Sequence, residues 1–227
     1  MVVVGAVVVG GPFVYIHFVE GQAPAPLSLK SSASPSGSAT GQSTSAGQTA
    51  SAGPVAGTWT IGSGSQVGYR VNEVLAGQNN IAVGRTKSVT GHLTIKGTSV
   101  TAGTFTVPMS TIKSDQSQRD GQFDGRIMDV TSYPTGTFTL TSPISLAPLP
   151  AVGTVKTYSA TGNLTLHGHT RPVTFTLSAE RTSTAIKVSG SIPVTFANWG
   201  IPNPSFTGFV TTANHGVLEF LLTFGRS

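Results

Sequence analysis

His167 and His169 stand one residue apart in GNLTLHGHTRPVTFTL, residues 162–177, between two runs of alternating apolar and polar side chains. Imidazole titrates near neutrality and is a common metal ligand, so the pair could bind metal, act as a base, or build a turn. A structural zinc site needs about four ligands, and a catalytic one about three plus water. The chain has no cysteine, and the other histidines of this region, His92 in TGHLTI and His215 in ANHGVL, sit beside glycines in turn-like contexts of their own. Keeping the apolar residues of both runs on one face places Leu166 opposite Val173 and His167 opposite Pro172. GHTR then forms a four-residue turn and the two imidazoles diverge. The turn reading is favoured, with no metal and no cofactor expected.

Asp115, Asp120, Asp124 and Asp129 form a second cluster. Their spacing does not reproduce an EF-hand loop, whose ligands alternate and end on a glutamate. The cluster fits a short, marginal helix better, capped by Ser114 or Asp115. Asp115 and Arg119 would attract across one turn, while Asp120 and Asp124 would repel. GSGSQ, residues 62–66, lacks the Gly-x-Ser-x-Gly pattern of a nucleophile elbow, and no glycine-rich phosphate loop occurs. No motif indicates an enzyme.

The elements that must position these residues follow from composition. Only 9% of the 227 residues are charged, far below the usual quarter, and glycine is abundant. That balance suits short strands and turns rather than helices. The net charge of +5 comes from scattered residues, with no basic run and no interleaved aromatics, which argues against a nucleic-acid partner.

Three regions succeed one another. VVVGAVVVGGPFVYIHFV, residues 2–19, would span roughly 27 Å as a helix, enough for a bilayer core. The rival is a cleaved signal peptide, but the nearest small-x-small site, Ala23-Pro24-Ala25, is followed by Pro26. Residues 1–20 are therefore expected to be a transmembrane anchor. Residues 21–57, rich in Ser, Gly, Ala and Pro, read as a disordered linker with a reach of about 30–36 Å.

From Thr58 the pattern has period two. GTFTVP sets Phe105 and Val107 against threonines, and GTFTLT does the same with Phe138 and Leu140. Leu164, Leu166, Val173, Phe175 and Leu177 continue the pattern. Strict alternation means half-buried strands. Eight or nine such runs with Gly and Pro between them predict an all-β antiparallel barrel or sandwich over residues 58–227, with one short helix around 114–129. The long turn-rich stretch at 198–216 carries Trp199, Phe206 and Phe209, which could plug one end or form a binding loop.

LTLHGHTRPVTF resembles a hairpin of the YceI-like family. RDGQFDGRIMDVTSYPTGTFTL and FANWGIPNP extend that resemblance, so that it spans essentially residues 58–227. It implies a lipocalin-like, eight-stranded barrel that encloses a polyisoprenoid or related amphiphilic lipid, in a family with many exported members. VGYRVNEVLAGQNN departs from the pattern, with Glu73 and an AGQNN insertion where relatives often carry a histidine. The resemblance therefore transfers the fold and the apolar interior, but no polar ligand residue.

The resulting expectation is a non-enzymatic carrier or sequestering protein for a polyprenyl or quinone-type lipid, anchored in a membrane with its barrel extracytoplasmic. Phe105, Phe138, Leu164, Leu166, Phe175, Phe196, Trp199 and Phe220 are the expected ligand-binding residues, with Phe105, Phe138, Leu164, Phe175 and Phe196 lining one continuous cavity. The competing expectation is a structural or interaction module, a filled barrel on a stalk. An eight-stranded barrel accommodates either.

Overall fold

The computed structural model of the chain describes residues 23–29, 54–75, 77–206 and 210–227. The expected anchor, much of the linker and Phe209 lie outside them. Among the described residues, no helix is long and apolar enough to cross a membrane.

The alternating runs form strands in one antiparallel sheet. The first six are β1 (Gly57–Ile61), β2 (Gln66–Leu75), β3 (Gln78–Thr86), β4 (Thr90–Lys96), β5 (Ser99–Pro108) and β6 (Thr135–Leu140). The others are β7 (Ile144–Ser145), β8 (Val155–Leu166), β9 (His169–Arg181), β10 (Ala185–Thr195), β11 (Val210–Thr212) and β12 (His215–Arg226). Eight close a ring in the order β1-β4-β5-β6-β8-β9-β10-β12, because β12 returns to pair with β1. The expected eight-stranded barrel is therefore present, with shorter strands added to it.

The free edge of β12 is shared. Phe224 and Arg226 pair with β1, whereas Val217 to Leu221 pair with β2. β3 and β11 then pair with β2, and an Arg85–Lys113 bridge joins β3 to the chain beyond β5. We call the end with the β8–β9 turn the upper end, and the end with the β9–β10 turn the lower end.

The helix is shorter than the sequence suggests. α1 (Ser117–Gln122) runs into a single π-turn over Phe123–Ile127. Gln116 is the N-cap, without a side-chain bond. Ser114 instead gives its backbone N–H and its hydroxyl to the Asp120 carboxylate, at 2.8 and 2.7 Å. Arg119 does pair with Asp115 at 2.5 Å, and Asp124 takes Lys113 rather than confronting Asp120 unaided.

The histidine hairpin corrects the predicted register. Leu166 pairs with His169, Val173 with Gly162, and Pro172 with Asn163. Only His167 and Gly168 form the turn, both left-handed at φ 47° and 74°. Two successive positive φ values match the right-handed twist of the flanking strands better than the longer turn does. The imidazoles also converge rather than diverge. A Cβ on Gly200 would lie 2.9 Å from His169 Nε2 and 3.8 Å from His167 Nδ1. Tyr133 packs against the His167 ring at 4.5 Å between centroids. Among the described residues no three His, Asp or Glu side chains come together as a metal-binding group. Histidine tolerates this backbone but a β-branched residue does not. His167→Val is therefore expected to be about 1–2 kcal/mol less stable than His167→Asn in urea unfolding.

The linker is not featureless throughout. Residues 23–29 lie on the outer wall over β2, β3 and β12. Arg70 Nη1 donates to Pro24 O (2.6 Å), Arg85 Nη2 donates to Ala25 O (2.5 Å), and the Leu27 N–H donates to Glu219 Oε2 (3.1 Å). Glu219 alternates outward from Phe220, yet is 3% exposed, since the two arginines and this strap cover it. Over residues 23–29 the chain is therefore held on the barrel wall.

Candidate functional site

The barrel interior is built by alternate residues of the ring strands. Phe105 is in register with Phe138, and Phe138 with Leu164. Four phenylalanines from four strands meet in a closed circuit: Phe105–Phe138 at 5.4 Å, Phe138–Phe175 at 5.3 Å, Phe175–Phe220 at 5.8 Å and Phe220–Phe105 at 6.1 Å. Phe105–Phe138 is stacked, both contacts of Phe175 are edge-on and Phe220–Phe105 is tilted; offset and edge-on arrangements are those aromatic quadrupoles prefer.

Two glycines make room for these rings. A Cβ on Gly162 would come 2.4 Å from Phe138 Cζ, and one on Gly190 2.7 Å from Phe220 Cζ. Each ring therefore lies against the backbone of the neighbouring strand.

One continuous tunnel was expected; the interior instead contains three apolar cavities in series. The lower one, about 140 Å³, lies between the four phenylalanines and the lower rim, with walls that include Ile95, Leu140, Tyr158 and Leu177. A middle one of about 50 Å³ shares Phe105 and Phe220 with the lower, and is also lined by Leu164 and Leu166. The upper one, about 110 Å³, shares Leu166, Met109, Ile112 and Leu218 with the middle and adds Phe196, Phe123 and Tyr69. The partitions are side chains, which close a tunnel that the backbone leaves possible.

Apolar cavities of about 150 Å³ stay dry and accept benzene-sized molecules, whereas drug-sized ligands need roughly 300–1,000 Å³. Each chamber alone is thus suited to a short apolar unit. A long chain requires the partitions to turn aside.

Of the eight predicted ligand residues, Phe105, Phe138, Phe175 and Phe220 come together at the lower cavity, and Leu164, Leu166 and Phe196 at the middle and upper ones. Trp199 lines none of these three. It is 3% exposed and its indole donates to Leu164 O at 3.4 Å, so it is a plug at the upper end. Phe206 in the same loop is 67% exposed. The loop therefore plugs with one aromatic and displays another.

Sequence reading missed Tyr69, Met109, Ile112, Phe123 and Met128 of the upper cavity. Tyr69 alternates with Val67 and Val71 and was legible in principle. The others lie in the short 3₁₀ and π-turns (Met109, Phe123) or directly after them (Ile112, Met128), where there is no period to read.

Outside the upper cavity lies a polar recess of about 560 Å³ bordered by Glu73, Arg119, Arg126 and Phe206. Its charges are already matched. Arg119 pairs with Glu73 at 3.2 Å and with Asp115, while Arg126 donates to Asn203 O and Pro204 O. Burial raises the pKa of the Tyr69 phenol, with Arg119 opposing, so it remains protonated.

These features meet the comparisons with known proteins. The sequence profile of the YceI-like domain matches residues 59–224. A polyisoprenoid-binding domain from Saccharophagus degradans superposes with a TM-score of 0.63 at 15% identity, covering 76% of this chain and 99% of that one. BcnA of Burkholderia cenocepacia gives a TM-score of 0.55 at 20% identity, covering 70% and 95%. No curated protein matched. At these identities the two structures show a shared fold.

Proposed function

The chain belongs to the YceI-like domain family, and from that membership we propose that its barrel binds an amphiphilic isoprenoid-type lipid and carries or sequesters it without chemical conversion. The observation that carries this reading is the series of apolar chambers separated by side chains alone. An apolar interior lined by Phe, Leu and Ile offers a polyprenyl chain burial and little else. Each buried methylene contributes about 0.8 kcal/mol, so ten would contribute roughly 8 kcal/mol before association costs of several kcal/mol. Net of those costs ten methylenes give roughly millimolar affinity, and about fifteen or more buried carbons are needed to reach the micromolar range without a strong polar anchor.

The apolar run at residues 2–19 supports a further part of the proposal, an anchor that keeps an extracytoplasmic barrel beside the membrane holding its ligand. A ligand this apolar scarcely exists free in water, so proximity to a bilayer raises its effective concentration.

The test is displacement of an environment-sensitive fluorophore from the purified full chain in mild detergent by farnesol. Saturable displacement with one-to-one stoichiometry is expected. Absence of fluorophore binding and of farnesol binding would favour a filled structural module.

A further inference from the structure

The two ends of the barrel carry different mixtures of charge. At the upper end carboxylates sit among the cations: Asp124 pairs with Lys113, and both Asp115 and Glu73 pair with Arg119. The lower end is almost wholly basic. Lys96 closes β4, Lys156 is the second residue of β8, Arg181 closes β9, Lys187 is the third residue of β10 and Arg226 closes β12. Among the described residues of this end Glu180 is the only acidic side chain; it is in register with Lys187 and borders the lower cavity beside Arg181. None of the five ion pairs among the described residues includes any of these five cations. Arg226 donates to the carbonyls of Pro54 and Ala56, which leave its charge uncompensated.

Apolar side chains reach the surface at this same end. The loop from β7 to β8 is tied at both sides of the lower rim. The Leu146 N–H donates to Thr98 O in the β4–β5 turn, and the Gly153 N–H donates to Arg181 O at the end of β9, each at 2.8 Å. Between these ties Leu149 and Val152 are exposed, and Val155 follows them at 53% exposure. Leu149 and Pro150 also wall the lower cavity, so one loop faces both the outside and the chamber. A single exposed apolar residue is ordinary. Three on one rim, set among lysines and arginines, form a surface suited to the boundary between lipid headgroups and acyl chains.

We propose that the lower rim docks on an anionic bilayer, with Leu149, Val152 and Val155 entering the interface and the five cations lying among acidic lipids. Charge complementarity selects this occupant. Five cations against one carboxylate attract a negative surface, whereas the mixed charges of the upper end do not. Phe206 is more exposed than any of the three, but it stands at the upper end and supplies an internal comparison. The surface is independent of what the chambers hold, and docking sets the mouth of the lower one against the bilayer.

The chain has no cysteine, so Val152→Cys and Phe206→Cys each create a single site for the environment-sensitive fluorophore nitrobenzoxadiazole. The labelled full chain is reconstituted in vesicles of phosphatidylcholine alone, or of phosphatidylcholine and phosphatidylglycerol in equal parts. The Val152 label is expected to become brighter and blue-shifted in the mixed vesicles only, while the Phe206 label reports water in both. In about 1 M salt, where the Debye length falls to about 3 Å, the shift at Val152 should fade. Each cation near an anionic surface changes partitioning roughly fivefold, so Lys156→Gln combined with Lys187→Gln should lower the ratio of docked to free barrel about twenty- to thirtyfold. A Val152 label that reports water in both vesicles, or one equally shielded in both, would overturn the docking surface and leave the interior-lipid reading standing. Lipid contact at Phe206 in place of Val152 would assign the membrane to the opposite end and overturn it as well. A shift that vanishes on dilution to one chain per vesicle would mark contact between copies and overturn the membrane as the occupant.

Discussion

Truncating Phe138 to alanine is expected to cost the barrel about 3–5 kcal/mol of unfolding free energy, the range for deleting a buried aromatic side chain. Phe138 is 5% exposed, stacks on Phe105, meets Phe175 edge-on and lies against the backbone at Gly162. No neighbour can collapse into the space, because Gly162 has no side chain and the other rings are held by their own strands. In a domain of this size the loss corresponds to a fall in Tm of roughly 10 °C. Urea unfolding measures it, and a cost below 1 kcal/mol would show that the phenylalanine circuit is loosely packed. Added farnesol should restore part of the lost stability, since a ligand that binds the folded state stabilises it by mass action.

The second large effect concerns the partition. Phe105 borders both the lower and the middle cavity, whereas Phe138 borders the lower one alone. Phe105→Trp enlarges the side chain where a threaded lipid must pass. Binding of a long polyprenol is expected to fall tenfold or more, with an overpacking cost of about 1–3 kcal/mol in stability. Phe105→Ala works in the opposite sense, joining two chambers, and long-chain affinity should hold or rise although the protein is less stable. Displacement titrations with C15 and longer polyprenols read both effects. Equal losses in the tryptophan and alanine variants would mean that Phe105 contacts the ligand without gating its path.

How much of this was legible depended on the range of the interaction involved. Alternation in GTFTVP, GTFTLT and PVTFTL fixed which residues of β5, β6 and β9 point inward, because the side-chain period of a strand is two. The same local signal could not set the β8–β9 register. Counting apolar residues matched Leu166 to Val173, but the positive φ of His167 and Gly168 determines a tighter turn. Trp199 read as a ligand residue because plugging and lining aromatics have the same sequence. Its bond to Leu164 O and its absence from the walls of the three cavities separate the two. The strap at residues 23–29 was hidden because its partners Arg70, Arg85 and Glu219 are 40 to almost 200 residues away along the chain.

The central claim is that a lipid occupies the interior, and native mass spectrometry of the full chain, released from mild detergent after purification without added lipid, tests it most directly. The expected spectrum contains a one-to-one adduct that organic extraction identifies as an isoprenoid, with the adduct depleted in Phe105→Trp. A spectrum of the bare chain alone, unchanged after incubation with polyprenyl phosphate and polyprenol, would contradict the account and leave a barrel filled by its own side chains.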